Sequence, residues 1–154
     1  MRYWLMKTEP GTFGVEHLAA APRSTSAWDG VRNFQARNLL RDEVRRGDQA
    51  FLYHSSCAVP GIVAVMQIVK QGYPDPTAFD RKHHHYDPEG DPGNPRWFMV
   101  DVQLKRRLAR TIALEELRAH AGKELKGMVL LRPGNRLSIT TVEAAHWKFI
   151  LSLE

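Results

Sequence analysis

The chain has 154 residues, 43% hydrophobic and 25% charged, which fits one ordinary globular domain with a real core. Lysine and arginine (22) outnumber aspartate and glutamate (17), a mild footprint for a polyanionic partner. No apolar run approaches the roughly 20 residues of a membrane span, and the N-terminus lacks the apolar segment of a signal peptide. The single cysteine, Cys57, cannot close an internal disulfide, so a cytoplasmic protein is expected.

In chain order, "RYWLMK" (residues 2–7) predicts a strand that ends at Glu9-Pro10-Gly11. Thr12 is placed to cap a short helix reaching Leu18 or Ala19. "AAAPRSTS" reads as loop and Trp28-Asp29-Gly30 as a turn. Asn33 is a favourable N-cap for a helix running to about Arg46, with Gly47 where a left-handed C-terminal residue is expected. In that helix Phe34, Leu40 and Val44 face a core, and Arg37, Arg41 and Arg45 form one basic stripe. Residues 49–56 and 61–73 predict two strands joined as a hairpin through Pro60-Gly61. The near-continuous apolar run of the second implies burial on both faces of a sheet. "YPDPTAFD" leaves the sheet, residues 83–95 form a long polar loop, and "RWFMVDVQLKRRL" is a third strong strand. "ALEELRAHA" predicts a helix and "KGMVLLRPGNRLSI" a loop. "TVEAAHWKFILSL" predicts a closing helix capped by Thr140 or Thr141. With no repeat or linker, the chain is expected to form one α+β domain over residues 1–154, built on a small, curved mixed sheet.

Charge is concentrated between residues 103 and 136, where nine basic residues meet three acidic ones. That excess exceeds the whole chain's, and it reads either as a solvated face or as one that meets phosphates.

Four chemistries bear on these residues. His83, His84 and His85 are adjacent, but consecutive residues on a strand alternate faces and no zinc spacing exists, so no metal is expected. "YHSSC" gathers His54, Ser55, Ser56 and Cys57 without a nucleophile elbow or an orienting carboxylate. There is neither a dinucleotide fingerprint nor a Walker motif, and no cofactor is expected. Base recognition fits better. A flipped base needs flat side chains to stack on and hydrogen bonds to its edge. Of the four tryptophans, Trp147 lies on an apolar helix face, while Trp4 and Trp97 lie in strands and suit either core or site. Trp28 sits outside any regular element, where an aromatic wall of a pocket belongs. Lys7, Asn33, His54 and Ser55 can address a base edge, and nearby arginines can hold flanking phosphates.

The motifs "MKTEP", "WDGVRNFQARNLLR", "GDQAFLYHSS", "PGIVAV", "YPDPTAFD", "PRWFMVDV" and "RLSI" resemble, in order, those of the EVE domain family. The resemblance covers nearly the whole chain. It implies a PUA-like fold, a mixed β-barrel flanked by helices, related to YTH domains that bind methylated adenine. It also implies a reader of a modified, for instance methylated or hydroxymethylated, base in DNA or RNA. Carried over by motif, Lys7 and Thr8 line one wall, Trp28 is the stacking platform and Asn33 contacts the base edge. Tyr53, His54 and Ser55 close the rim, Trp97 joins the base site, and Arg136 and Ser138 lie near the mouth. Arg32, Arg37, Arg41 and Arg136 are the phosphate contacts. The departures are Phe34, where tyrosine is frequent, and Ala64, where glycine is common.

The expectation is therefore a non-catalytic, monomeric, nucleic-acid-binding module without membrane attachment. The alternative is an enzyme acting on a nucleobase or small ligand, with His54 and Asp29 or Asp48 as acid–base groups.

Overall fold

A computed structural model describes all 154 residues, Met1 to Glu154. Strand β1 (Tyr3–Thr8) leads to helix α1 (Val15–Ala20), and strand β2 (Thr25–Ala27) to helix α2 (Phe34–Asp42). Strands β3 (Gln49–His54), β4 (Gly61–Pro74) and β5 (Phe98–Ala113) follow. Helix α3 (Leu114–Ala119), strand β6 (Ile139–Val142) and helix α4 (Ala144–Ser152) complete the chain. The six strands form one sheet in the order β2-β5-β4-β3-β1-β6, with β1 and β3 parallel and the other pairs antiparallel. The expected α+β class and mixed sheet are present. No helix is long and apolar enough to cross a membrane.

The apolar strands are explained by cores on both faces. Trp4, Met6, Ala50, Leu52, Met66 and Ile68 belong to one core, with Leu18 of α1 and Ala36 and Leu40 of α2. Leu5, Phe51, Tyr53 and Ile62 alternate into the other, with Leu117 of α3 and Trp147 and Ile150 of α4. The β4–β5 pair shifts register at four places, and such irregularities bend and twist a sheet.

The sheet does not close into the implied barrel, because its edge strands β2 and β6 share no ladder. Other expectations need correction. Thr12 does not cap α1: its amide donates to the Glu9 carbonyl (3.0 Å) and the helix starts after Gly14. "AAAPRSTS" is not all loop, since Thr25–Ala27 pairs with β5 as a short edge strand. Helix α2 stops at Asp42, before the expected Arg46. The buried Asp48 carboxylate accepts from the Arg45 amide (2.9 Å), the Arg2 amide (3.0 Å) and the Trp4 indole (2.9 Å). It thereby turns the chain back into β3. Strand β5 runs to Ala113, because Leu108 and Ile112 keep the inward alternation under a charged outer face. Thr140 and Thr141 lie in β6, and Glu143 precedes α4.

Candidate functional site

A cavity of about 780 Å³ lies where the sheet fails to close, within the range of roughly 300–1,000 Å³ typical of ligand sites. Both edges of the sheet border it. Ser26, Ala27 and Trp28 come from the β2 edge, and Arg136 and Ser138 from the approach to β6. Lys7 and Thr8 at the end of β1, and Ser55 after β3, add another side. The ladders carry on past the strands at this point: the Trp28 amide donates to the Val100 carbonyl (2.7 Å) and the Lys7 amide to the Ser138 carbonyl (2.8 Å).

Trp28 is only 7% exposed and packs in the α1/α2 core, with the Phe13 ring edge-on at 6.4 Å. The open platform expected from the sequence is thus largely covered by the protein itself. What remains matters chemically. Trp4 and Trp97 give their indole N–H groups to Asp48 and Asp87 (2.9 and 2.8 Å). The Trp28 indole N–H has no acceptor within the protein, yet it is not among the buried unpartnered atoms, so solvent reaches it.

Lys7 lines the cavity without an acidic partner, its ammonium 5.9 Å from the Tyr53 ring centre. Burial lowers its pKa below the ordinary lysine value, since no opposite charge offsets the lost hydration. Arg136 is exposed at the cavity and forms no ion pair. Thr8 and Ser55 are turned to structure: the Thr8 hydroxyl donates to Phe13 (2.6 Å) and the Ser55 amide to the Thr8 carbonyl (2.9 Å).

The remaining wall is built around Asp75, which is fully buried. Its carboxylate accepts from the Gly30 amide (2.9 Å), the Arg32 guanidinium (3.0 Å) and the Thr77 amide and hydroxyl (2.9 and 2.6 Å). Burial alone would raise its pKa; the hydrogen bonds from Thr77, Gly30 and Arg32 outweigh that and lower it. Arg32 also donates to the His85 carbonyl (2.8 Å), tying the histidine loop to the cavity. Gly30 has φ +78°, and a Cβ there would fall 2.2 Å from the His85 ring, so glycine is required both for conformation and for space.

The EVE domain family model matches residues 2–153. The chain belongs to the EVE domain family. Thymocyte nuclear protein 1 of Danio rerio is 47% identical over 166 residues, covering 98% of this chain and 71% of that protein. The Homo sapiens protein of the same name is 46% identical over 167 residues, covering 99% and 73%. The crystal structure of human THYN1 protein in complex with 5-methylcytosine-containing DNA superposes with a TM-score of 0.93 at 45% identity, covering 99% of this chain and 97% of that one. The relatives' name points to a nuclear setting and corrects the expected cytoplasmic one. That expectation leaned on the lone Cys57, yet nuclei keep thiols reduced as the cytosol does.

Of the residues expected at the site, this EVE domain brings Lys7, Thr8, Trp28, Arg32, Ser55, Arg136 and Ser138 together. The others stand outside the cavity lining. Asn33 spends its side-chain oxygen capping α2, accepting from the Ala36 amide (3.0 Å). Tyr53 is buried in the α3/α4 core. His54 accepts from the Val15 amide through Nε2 (3.1 Å), and burial lowers its pKa. Trp97 is 7% exposed, bonded to Asp87 and stacked on Phe34 (4.8 Å). Arg37 donates to the Arg96 carbonyl and Arg41 pairs with Asp42 (2.8 Å), so neither reaches the cavity and the basic stripe dissolves. Arg32 does reach it, but with its donors committed to Asp75, Thr77 and His85. Of the two alternative acids, Asp48 is a buried structural acceptor, while Asp29 lines the cavity.

Phe13, Ser26, His84 and His85 line the cavity unforeseen. Ser26 was hidden in a stretch with turn composition. Strand geometry would part the histidines, but they lie in a turn, where consecutive side chains converge. The three imidazoles offer nitrogens within 4.8 Å of one another and are the side chains here that could hold a metal ion.

Proposed function

We propose that this EVE domain reads a modified base in nucleic acid by taking it into the cavity beside Trp28. The observation that carries the proposal is the set of free polar groups there: the Lys7 ammonium, the Trp28 indole N–H and the Arg136 guanidinium, beside the aromatic surface of Trp28 and Phe13. Donors of this kind suit the acceptor-rich edge of a pyrimidine, and unpaired cations suit its flanking phosphates. The likeness to human THYN1, whose structure contains 5-methylcytosine DNA, makes methylated cytosine in DNA the base of choice. Apolar contacts with Ala27 and Val31 would reward the methyl group by about 0.8 kcal/mol, roughly fourfold in affinity.

The domain binds without catalysis and as a monomer. In support of the first, the His54 lone pair is held by a backbone amide away from the cavity. Ala27→Phe, at an exposed position on the cavity wall, tests the location. It should abolish binding of a 5-methylcytosine oligonucleotide while leaving the melting temperature within a few degrees. Undiminished binding would place the site elsewhere.

A further inference from the structure

Phe34 is the first residue of α2, and 53% of its surface is exposed, whereas a helix of this class normally turns such a ring inward. The ring is nevertheless held. It stacks on Trp97 at 4.8 Å with an interplanar angle of 23°. The Arg37 guanidinium lies over it at 5.0 Å and is itself fixed to the Arg96 carbonyl, next to Trp97 in the chain. Both restraints thus come from the Arg96–Trp97 segment or are tied to it. Trp97 is fixed in turn by Asp87. On its other contact Trp97 meets Arg32, 5.4 Å from the ring centre, and Arg32 lines the cavity. A half-exposed aromatic ring therefore stands one side chain beyond the cavity wall, stacked on Trp97, with the Arg37 guanidinium over it as the group an incoming base would displace.

We propose that Phe34 is a second stacking platform, taking the base next to the one in the cavity on the same strand. This rests on the base-reading function proposed above. A flat ring flanked by arginines fits nucleobase and backbone together, and stacking of this kind tolerates any base. The cavity would choose the modified base, and Phe34 would grip its neighbour whatever its identity.

The test compares 5-methyl-2′-deoxycytidine with a five-nucleotide single strand carrying 5-methylcytosine centrally, for the wild type, Phe34→Ala, Phe34→Trp and Ala27→Phe. The expected pattern is an approximately tenfold loss by Phe34→Ala for the oligonucleotide and none for the nucleoside. Phe34→Trp should restore the oligonucleotide affinity. A strand with 2-aminopurine beside the methylated base should be quenched by the wild type and not by Phe34→Ala. Equal oligonucleotide binding by Phe34→Ala and wild type, with Ala27→Phe inactive, overturns the platform and leaves the cavity standing. A loss by Phe34→Ala that extends equally to the nucleoside also overturns it, because Phe34 would then act through the cavity. No binding of either ligand by the wild type overturns both proposals.

Discussion

Trp28 unites two duties that sequence reasoning treats as alternatives. It packs a core, and it leaves its N–H unclaimed at the cavity. Two substitutions separate these duties. Trp28→Ala should cost roughly 3–5 kcal/mol of stability, as large aromatic truncations in cores do. Trp28→Phe keeps an aromatic ring in the core and removes the donor together with part of the indole volume. It should weaken oligonucleotide binding about three- to tenfold, the worth of one hydrogen bond, with a smaller fall in urea midpoint than Trp28→Ala. His54 behaves as a structural residue with its own signature. Burial lowers its pKa, so folding favours the neutral ring and the unfolded chain takes up the proton first. His85 is shifted the same way. Their stabilisation is complete above the ordinary histidine value of about 6.5 and is lost as pH falls through their lowered folded values. Urea midpoints should hold steady from pH 8 to 7 and decline below about 6.5. His54→Gln should flatten that decline.

At the level of elements, the long strands and the Asn33 cap of α2 were legible because apolar alternation and cap chemistry are local properties. The short pieces were not. Strand β2 has three residues and β6 has four, and pairing partners distant in the chain hold them, not composition. The helix face at Phe34 departs from the expected one because periodicity alone does not oblige an apolar first-turn residue to face the core. Asp75 escaped notice for a related reason: its partners Gly30 and Arg32 lie more than forty residues away. That carboxylate fastens the turn before α2 to the segment after β4 and anchors the cavity wall. Asp75→Asn keeps the shape but removes the charge facing Arg32. It should cost roughly 2–4 kcal/mol in urea melts, less than a fully buried pair because Arg32 keeps some solvent.

For the molecule as a whole, the basic stretch between residues 103 and 136 is weaker than its composition suggests. Arg106, Arg107 and Arg110 are paired with Glu154, Glu16 and Glu116. The unpaired cations at the cavity are Lys7 and Arg136. With two phosphates neutralised, the slope of log affinity against log salt for a single strand should be about −1.4. A slope steeper than about −4 would mean that other basic residues also carry the strand. The sheet's failure to close, which no strand pattern announced, is what makes room for a site between its two edges. Whether that room serves a modified base is decided most directly by fluorescence anisotropy on two single strands of one sequence, one with cytosine and one with 5-methylcytosine at the centre. The wild type should bind the methylated strand about fourfold more tightly or better, and Ala27→Phe should bind neither. Equal affinity of the wild type for both strands, undisturbed by Ala27→Phe, would contradict a base-reading cavity.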